Sequence, residues 1–306
     1  MNYQTKLRRI LAVNKISQEN LAKLIGTTFV TLNSWVNGKS KPTRGELKNK
    51  IDELYIKYFG DTSLTIPNLV NKKKEAIKNK CTARQIIANR KLLDKITLNL
   101  TYHTNTIEGS TMTISDVREV IFDNKILSNR TAIEQREAVN HQAALNFLLD
   151  KLAHDKKLNW TPDFIQAIHL RMMTSIISNA GLWRNHGVRI SSSRTVLANF
   201  IKIPDLMKKL CKKLNKETDD PVNLLAQTHA QFEQIHPFSD GNGRTGRLIM
   251  FAKSLELGVF PPIIEHERKT AYYKYLELAQ TQEKHDLLEN LICDSILSAV
   301  KLKEKH

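Results

Sequence analysis

Cysteine is scarce in this 306-residue sequence: Cys81, Cys211 and Cys293 stand far apart and are odd in number, which argues against a disulfide framework or a cysteine-based metal cluster. They read as packing residues. Long apolar runs are also missing, and no stretch of the sequence approaches the roughly 20 residues that a membrane-spanning helix requires. The opening residues, Met1-Asn2-Tyr3-Gln4-Thr5-Lys6-Leu7, lack the apolar core of a signal peptide, so a soluble, cytoplasmic protein is expected. Acidic residues are the third deficit. There are 31 Asp+Glu against 47 Lys+Arg, for a net charge of +16, and this bears on partners and not on fold. Nucleic acid, acidic protein surfaces and nucleotides suit such a charge. The 41% hydrophobic and 25% charged content is that of a globular chain long enough for a substantial core and a second small domain.

Glycine is sparse too, at 11 residues, yet Gly241, Gly243 and Gly246 fall close together in His236-Pro237-Phe238-Ser239-Asp240-Gly241-Asn242-Gly243-Arg244-Thr245-Gly246-Arg247. Glycines permit positive φ and let backbone N–H groups approach a ligand, so this loop can wrap an anion. The apolar run Leu248-Ile249-Met250-Phe251-Ala252 reads as a buried helix, which places the loop at a helix N-terminus, where unpaired N–H groups and the dipole favour negative charge. Arg244 and Arg247 add forked donors for phosphate oxygens. Asp240 offers the hard oxygen that Mg²⁺ takes alongside substrate phosphates. His236 titrates near neutrality and can accept a proton from a hydroxyl. No residue in the loop reads as a covalent nucleophile, so the attacking group has to come from a second substrate.

These twelve residues resemble the signature of the Fic family, His-x-Phe-x-Asp/Glu-Gly-Asn-Gly-Arg-x-x-Arg, with every fixed position present. The resemblance implies a protein adenylyltransferase: with Mg²⁺, AMP passes from ATP to a hydroxyl of a target protein and pyrophosphate leaves. His236 would be the catalytic base and Asp240 the metal ligand, with Gly241, Asn242, Gly243, Arg244, Gly246 and Arg247 on the phosphates. Gly243 points to AMP transfer, because a related branch with lysine there phosphorylates instead. Upstream, Thr104 to Gly109 fits Ser/Thr-x-x-x-Glu-Gly/Asn, which resembles the family's inhibitory helix, placed here at about 100–110. Thr104, Glu108 and Gly109 are then inhibitory residues, and Glu108 is expected to compete with the γ-phosphate for Arg247. The other histidines, among them His103, His141, His169, His229 and His266, are expected at the surface or in packing.

Residues 1–60 form a separate basic block, with 11 Lys+Arg against 4 Asp+Glu, locally +7. Leu7, Ile10 and Leu11, then Leu21, Leu24 and Ile25, recur at helical spacing. Ser17 suits an N-cap, Gly26 a break, and Thr28 or Thr27 the cap of a helix from Phe29 to about Asn37. Ser17-Gln18-Glu19-x-Leu21-Ala22-x-x-x-Gly26, with Thr31, Trp35, Gly38 and Pro42, resembles the Cro/CI-type helix-turn-helix family. That resemblance implies duplex DNA as a partner. Thr28, Phe29, Thr31 and Asn33 would face the groove, with Lys39, Lys41 and Arg44 on the phosphate backbone.

The stretch 61–70 reads as a linker, and 71–306 as a helical catalytic region opening with one long helical stretch from Lys72 to about Leu98. Val188-Arg189-Ile190-Ser191, with a second arm at Val196 to Ile203, reads as a β-hairpin flap over about 186–203. In the resembling family that flap docks the target segment. Thr218 or Asp219 is the expected cap of the helix that delivers His236. Tyr272, Tyr273 and Tyr275 suit either an adenine pocket or core packing. The C-terminal helix Leu287–Leu302 either packs on the core or makes a homodimer contact. The expected fold is therefore all-α, a helix-turn-helix bundle plus a helical Fic core with a small flap. Two other roles stay open: removal of AMP with Glu108 orienting a water, and DNA-binding regulation with the Fic site sensing nucleotide.

Overall fold

The computed structural model describes all residues except 15, 60, 62, 63, 156, 191–194 and 304–306, and the side chains of 13 and 14 are not considered. Two compact units are present: Met1–Leu64 with Thr270–Tyr275, and Thr65–Lys269 with Leu276–His306. The first contains α1 (Tyr3–Asn14), α2 (Gln18–Ile25), α3 (Phe29–Val36) and α4 (Gly45–Phe59). Its core is Leu7, Ile10, Leu21, Ile25, Leu32, Trp35, Ile51 and Tyr55, all buried. Each fully buried aliphatic side chain of this kind contributes about 1.5–3 kcal/mol. The α2–α3 turn is set by side chains. Ser17 Oγ accepts from Asn20 N at 3.2 Å, Gly26 turns at φ +81, and Thr28 Oγ1 accepts from Thr31 N at 3.2 Å. Arg8 Nε donates to Val36 O at 2.9 Å and so satisfies a carbonyl at the end of α3.

The second unit runs through α5 (Ile66–Lys78), α6 (Ala83–Ala88), α7 (Arg90–Glu108), α8 (Ile114–Phe122), α9 (Ala132–Asp155), α10 (Pro162–Met173), α11 (Ile203–Leu214), α12 (Pro221–Ile235) and α13 (Asn242–Glu256), then α14 (Lys269–Gln282), which spans both units, and α15 (Asp286–Val300). The long helical stretch expected from Lys72 to about Leu98 is divided among three helices. Asn79 ends α5, Thr82 and Gln85 form a capping box that restarts the chain as α6, and Asn89 both ends α6 and caps α7. Short polar side chains that bond their own backbone compete with helix continuation, and here they win. The cap of α12 is Asp220, whose carboxylate accepts from Asn223 N at 3.0 Å, and not Thr218 or Asp219. Pro221 holds the first helical position, so the residue just before it takes the capping role.

Every regular element among the described residues is helical. Val188, Arg189 and Ile190 lie in irregular backbone, as do residues 195–199, and Ser191 falls outside the described residues, so the expected hairpin strand is corrected to loop. The physical reason is local. A two-stranded hairpin alone is marginal, and among the described residues Arg184 links the two arms, donating to His186 O at 2.7 Å and to Ala198 O at 2.6 Å.

Helix α13 is the centre of the unit. From Arg244 to Leu255 it is buried without interruption, and it packs against α12, α9, α7 and α10. Such a helix cannot carry an unpaired charge. Lys253 accordingly pairs with Glu256 at 2.7 Å, whose other carboxylate oxygen accepts from Trp160 Nε1 at 2.8 Å. The helix α15 packs on α5 and α12, which accounts for its apolar face within one chain.

Candidate active site

The α12–α13 corner carries the His236–Arg247 segment. His236 ends α12 at φ +48, a left-handed conformation that a residue with a Cβ adopts only under constraint. The constraint is Arg184, which is buried and donates from Nε to His236 O at 2.7 Å and from Nη2 to Ile235 O at 3.3 Å; its own N–H bonds Pro237 O at 2.9 Å. His236 Nδ1 lies 3.4 Å from Glu233 O, which suits a protonated Nδ1 and leaves Nε2 as the basic nitrogen. Burial is the main cause that holds the His236 pKa below its ordinary value, with the Glu233 carbonyl opposing it and Arg184 adding to it.

The rest of the loop is built by side chains that face backbone. Asn242 is buried, accepting from Phe238 N at 2.9 Å and donating to Phe238 O at 2.8 Å. Both atoms of its side-chain amide thus close the loop on itself. His169 accepts from Gly181 N on Nδ1 at 2.9 Å and therefore donates from Nε2 to Asp240 O at 2.9 Å. Its ring stacks on Phe238 with centroids 3.5 Å apart, and burial pushes its pKa down to about 4, so it stays neutral. Gly241 is required twice over: φ is +74, and a Cβ would lie 2.6 Å from Met173 Sδ. At Gly243 a Cβ would collide with Glu108 Oε1, and at Gly246 with the carboxyl of Glu233.

The two loop arginines are held differently. Arg244 Nη1 sits 2.5 Å from Glu137 Oε1 of α9, an ion pair without hydrogen-bond alignment, and Nη2 is 3.6 Å from Asp240 Oδ1. Arg247 is 2% exposed and reaches α7. Nε donates to Thr104 Oγ1 at 2.6 Å, and Nη2 donates to Thr104 O at 3.1 Å and to Glu108 Oε1 at 2.5 Å. Gly109 ends α7 at φ +111 directly after Glu108. Thr104 and Glu108 are thus brought to the loop, Glu108 from 139 positions away, and Gly109 ends the helix that carries them. The neighbouring Glu233 carboxyl is raised to about 8, chiefly by burial, against the lowering influence of Arg247. Near neutral pH it is mostly uncharged, so Glu108 supplies the negative charge that meets Arg247.

Asp240 keeps an exposed side chain beside the N-terminus of α13; Oδ1 accepts from Gly241 N at 2.6 Å. One open carboxylate next to a row of helix N–H groups fits a hard divalent ion that retains waters and shares substrate phosphate oxygens.

Residues 159–252 match the family model Fic/DOC family, and residues 7–49 match Helix-turn-helix. The chain carries a Fic/DOC domain preceded by a helix-turn-helix domain. Curated relatives include "Protein adenylyltransferase Fic" of Nematostella vectensis, 31% identical over 58% of this chain and 42% of its own length, and that of Drosophila erecta, 28% identical over 71% and 45%. This chain therefore spans less than half the length of these relatives. In fold it resembles Fic-1 from C. elegans, with TM-score 0.65 and 19% identity over 95% of this chain and 96% of that one. It also resembles a Fic domain containing signaling protein from Bacteroides thetaiotaomicron, with TM-score 0.62 and 23% identity over 78% and 97%.

Within the Fic/DOC domain, Arg184 and His169 were not singled out from the sequence as site residues. The signal available for Arg184 was its place just after Gly181-Leu182-Trp183, where the helical pattern stops. On the helix-turn-helix domain, Thr28 is spent on capping α3, its hydroxyl also lying 2.9 Å from that of Thr31, and Asn33 accepts from Asn37 Nδ2 at 2.6 Å. Phe29, Val30, Lys39, Lys41 and Arg44 are exposed.

Removing Arg184 leaves four carbonyls without this donor, that of Ile235 buried and those of His236, His186 and Ala198 partly buried, at about 1–3 kcal/mol for each that water does not reach. Arg184→Ala should lower the unfolding free energy by about 3–5 kcal/mol in urea titration, and Arg184→Lys, which lacks the planar fork, should recover less than half of that. A loss below about 1 kcal/mol, or full recovery with lysine, would show that the clamp does not hold the loop.

Proposed function

We propose that this protein is a protein adenylyltransferase that transfers AMP from ATP to a hydroxyl of a target protein and is held off by Glu108. The observation that carries the reading is the seating of Arg247, the last arginine of the loop, on Thr104 and Glu108 of α7. In the proposed step the target hydroxyl oxygen attacks the α-phosphorus. A new P–O bond forms, the bond from the α-phosphorus to the bridging oxygen breaks, and pyrophosphate leaves. His236 Nε2 takes the hydroxyl proton. The N-terminus of α13 and the backbone of Gly241 and Gly243 would cradle the phosphates. Mg²⁺ held by Asp240 would neutralise phosphate charge when bound. Arg247 would fix the γ-phosphate and so align the α-phosphate, which is where positioning yields most of its rate. Irregular backbone at Val188–Ile190, beside the clamp of Arg184, suits pairing with an extended target segment.

With Glu108 on Arg247, ATP can bind through its other groups without being held in line. Glu108→Gly should raise AMP transfer, including self-modification, by about 10²-fold and much more than it raises ATP affinity; Arg247→Ala in that background should cancel the gain. Labelled-ATP transfer assays decide. Unchanged transfer removes the brake, and lowered transfer favours the opposite role, in which Glu108 orients a water for AMP removal.

The base assignment has its own pH signature. Because burial lowers the His236 pKa, the neutral, proton-accepting form persists to lower pH than for a free histidine near 6.5. The acid limb of kcat/KM should therefore fall below pH 6.5, and His236→Ala should lose about 10²–10⁴ in rate. Near-parent transfer in His236→Ala would remove the assignment.

For the helix-turn-helix domain we infer duplex DNA binding through the exposed cations Lys39, Lys41 and Arg44 next to α3. Affinity should fall steeply with added salt, as counterion release dictates. Substituting the three with alanine should flatten that slope by about 3 × 0.9 log units of affinity per log unit of salt if all three meet phosphates. An unchanged slope would assign any DNA binding to general surface charge.

A further inference from the structure

Outside the loop, one cluster of ligating side chains among the described residues stands apart from the proposed chemistry. His103 of α7, His266 and Glu267 bring two imidazole nitrogens and a carboxylate oxygen within 4.8 Å of one another. We propose that these three residues form a binding site for a divalent transition-metal ion of the zinc class, with water completing the coordination.

The distances suit such an ion. Two nitrogens bound to zinc at about 2.0–2.1 Å in tetrahedral geometry stand about 3.3 Å apart. His103 Nδ1 and His266 Nδ1 are 3.2 Å apart, and His266 Nδ1 is 3.2 Å from Glu267 Oε2. The third edge, His103 Nδ1 to Glu267 Oε2, is 4.0 Å and has to shorten. The Glu267 side chain is 64% exposed and has the freedom to move. His103 is already prepared as a ligand. Its Nδ1 accepts from the His266 backbone N–H at 3.2 Å, which keeps a lone pair on that nitrogen. The ion would take over this long hydrogen bond. Both rings are held in orientation: they stack with centroids 5.4 Å apart, and Tyr102 packs edge-on to His266 at 5.4 Å. Glu265 adds negative charge to the neighbourhood of His103, and it is anchored by Ser298, whose hydroxyl donates to Glu265 Oε1 at 2.6 Å.

Two imidazoles and one carboxylate select zinc or cobalt over Mg²⁺, which prefers six oxygens. The site is therefore distinct in ligand class from Asp240. Its place has a consequence. His103 immediately precedes Thr104, so an ion bridging His103 to residues 266–267 braces the turn of α7 that holds Arg247.

The test uses the full chain, stripped with a chelator and titrated with ZnCl₂ in excess MgCl₂ by calorimetry, with Co²⁺ absorption as a geometric probe. One zinc per chain is expected, with visible Co²⁺ bands of a four-coordinate site. His103→Ala, His266→Ala and Glu267→Gln should each weaken zinc by at least about tenfold, while His154→Ala, outside the cluster, should not. Glu267→Gln alters an exposed side chain and guards against misfolding of the histidine variants. No zinc uptake by the parent, or parent-like zinc affinity in both Glu267→Gln and His266→Ala, would overturn the site and leave a histidine–histidine hydrogen bond in its place.

Discussion

A guanidinium buried on a fully packed helix must find a counter-charge, and in this protein Arg247 finds it on a different helix. The pairing with Glu108 and Thr104 ties the end of α7 to the second turn of α13. Only the Arg247 side of the pair is buried, Glu108 keeping 31% of its side chain exposed, so removing Glu108 takes a carboxylate from a desolvated guanidinium. Burial keeps Glu233 protonated near neutrality, so it offers Arg247 no formal charge in exchange. A phosphate does. Under the proposed function the same desolvation that makes Glu108 a good partner makes the γ-phosphate its competitor, and the occupancy of one guanidinium sets the activity. Holding a two-state equilibrium 99:1 needs about 2.7 kcal/mol, half of the full swing from one extreme to the other. A single charge-assisted contact, at about 1.5–3 kcal/mol, is of that size.

The loop itself rests on a second constraint. It has no sheet ladder to take up its carbonyls, so side chains do so: Arg184 for His236 and Ile235, Asn242 for Phe238, His169 for Asp240. This is why His236 can sit at positive φ without glycine's freedom. Under the proposed function, in which His236 is the base, a loop held by a buried arginine fixes the geometry that proton transfer requires. His169 illustrates the role of a neutral imidazole, acceptor on one nitrogen and donor on the other, whose low pKa preserves that arrangement.

Much of this was legible beforehand because it is local. Caps at Ser17, Thr28 and Gly26 bond within four residues, and a glycine-rich stretch before an apolar run announces a helix N-terminus. The Thr104–Glu108 spacing could be matched as a pattern, but the partner 139 positions away could come only from the family resemblance. What was not legible is what long-range contacts decide. Arg184 reads as one arginine among many until its four carbonyl acceptors are in place, and His103 and His266, 163 positions apart, show nothing as isolated histidines. The hairpin expectation failed because alternation in Val188–Ile190 carries no information about whether a partner strand pairs with it. The 72–98 stretch is divided by Asn79, Thr82 and Asn89, short polar residues whose capping chemistry is visible in the sequence.

The most direct measurement is the ratio of ADP to ATP dissociation constants, by calorimetry with Mg²⁺, in the parent and in Glu108→Gly. If Glu108 holds Arg247, the γ-phosphate adds little in the parent, and the two nucleotides should bind within about twofold of each other. Freeing one charge-assisted contact of about 1.5–3 kcal/mol should then favour ATP by roughly tenfold or more in the variant. A parent that already prefers ATP as strongly as Glu108→Gly does would contradict the competition for Arg247.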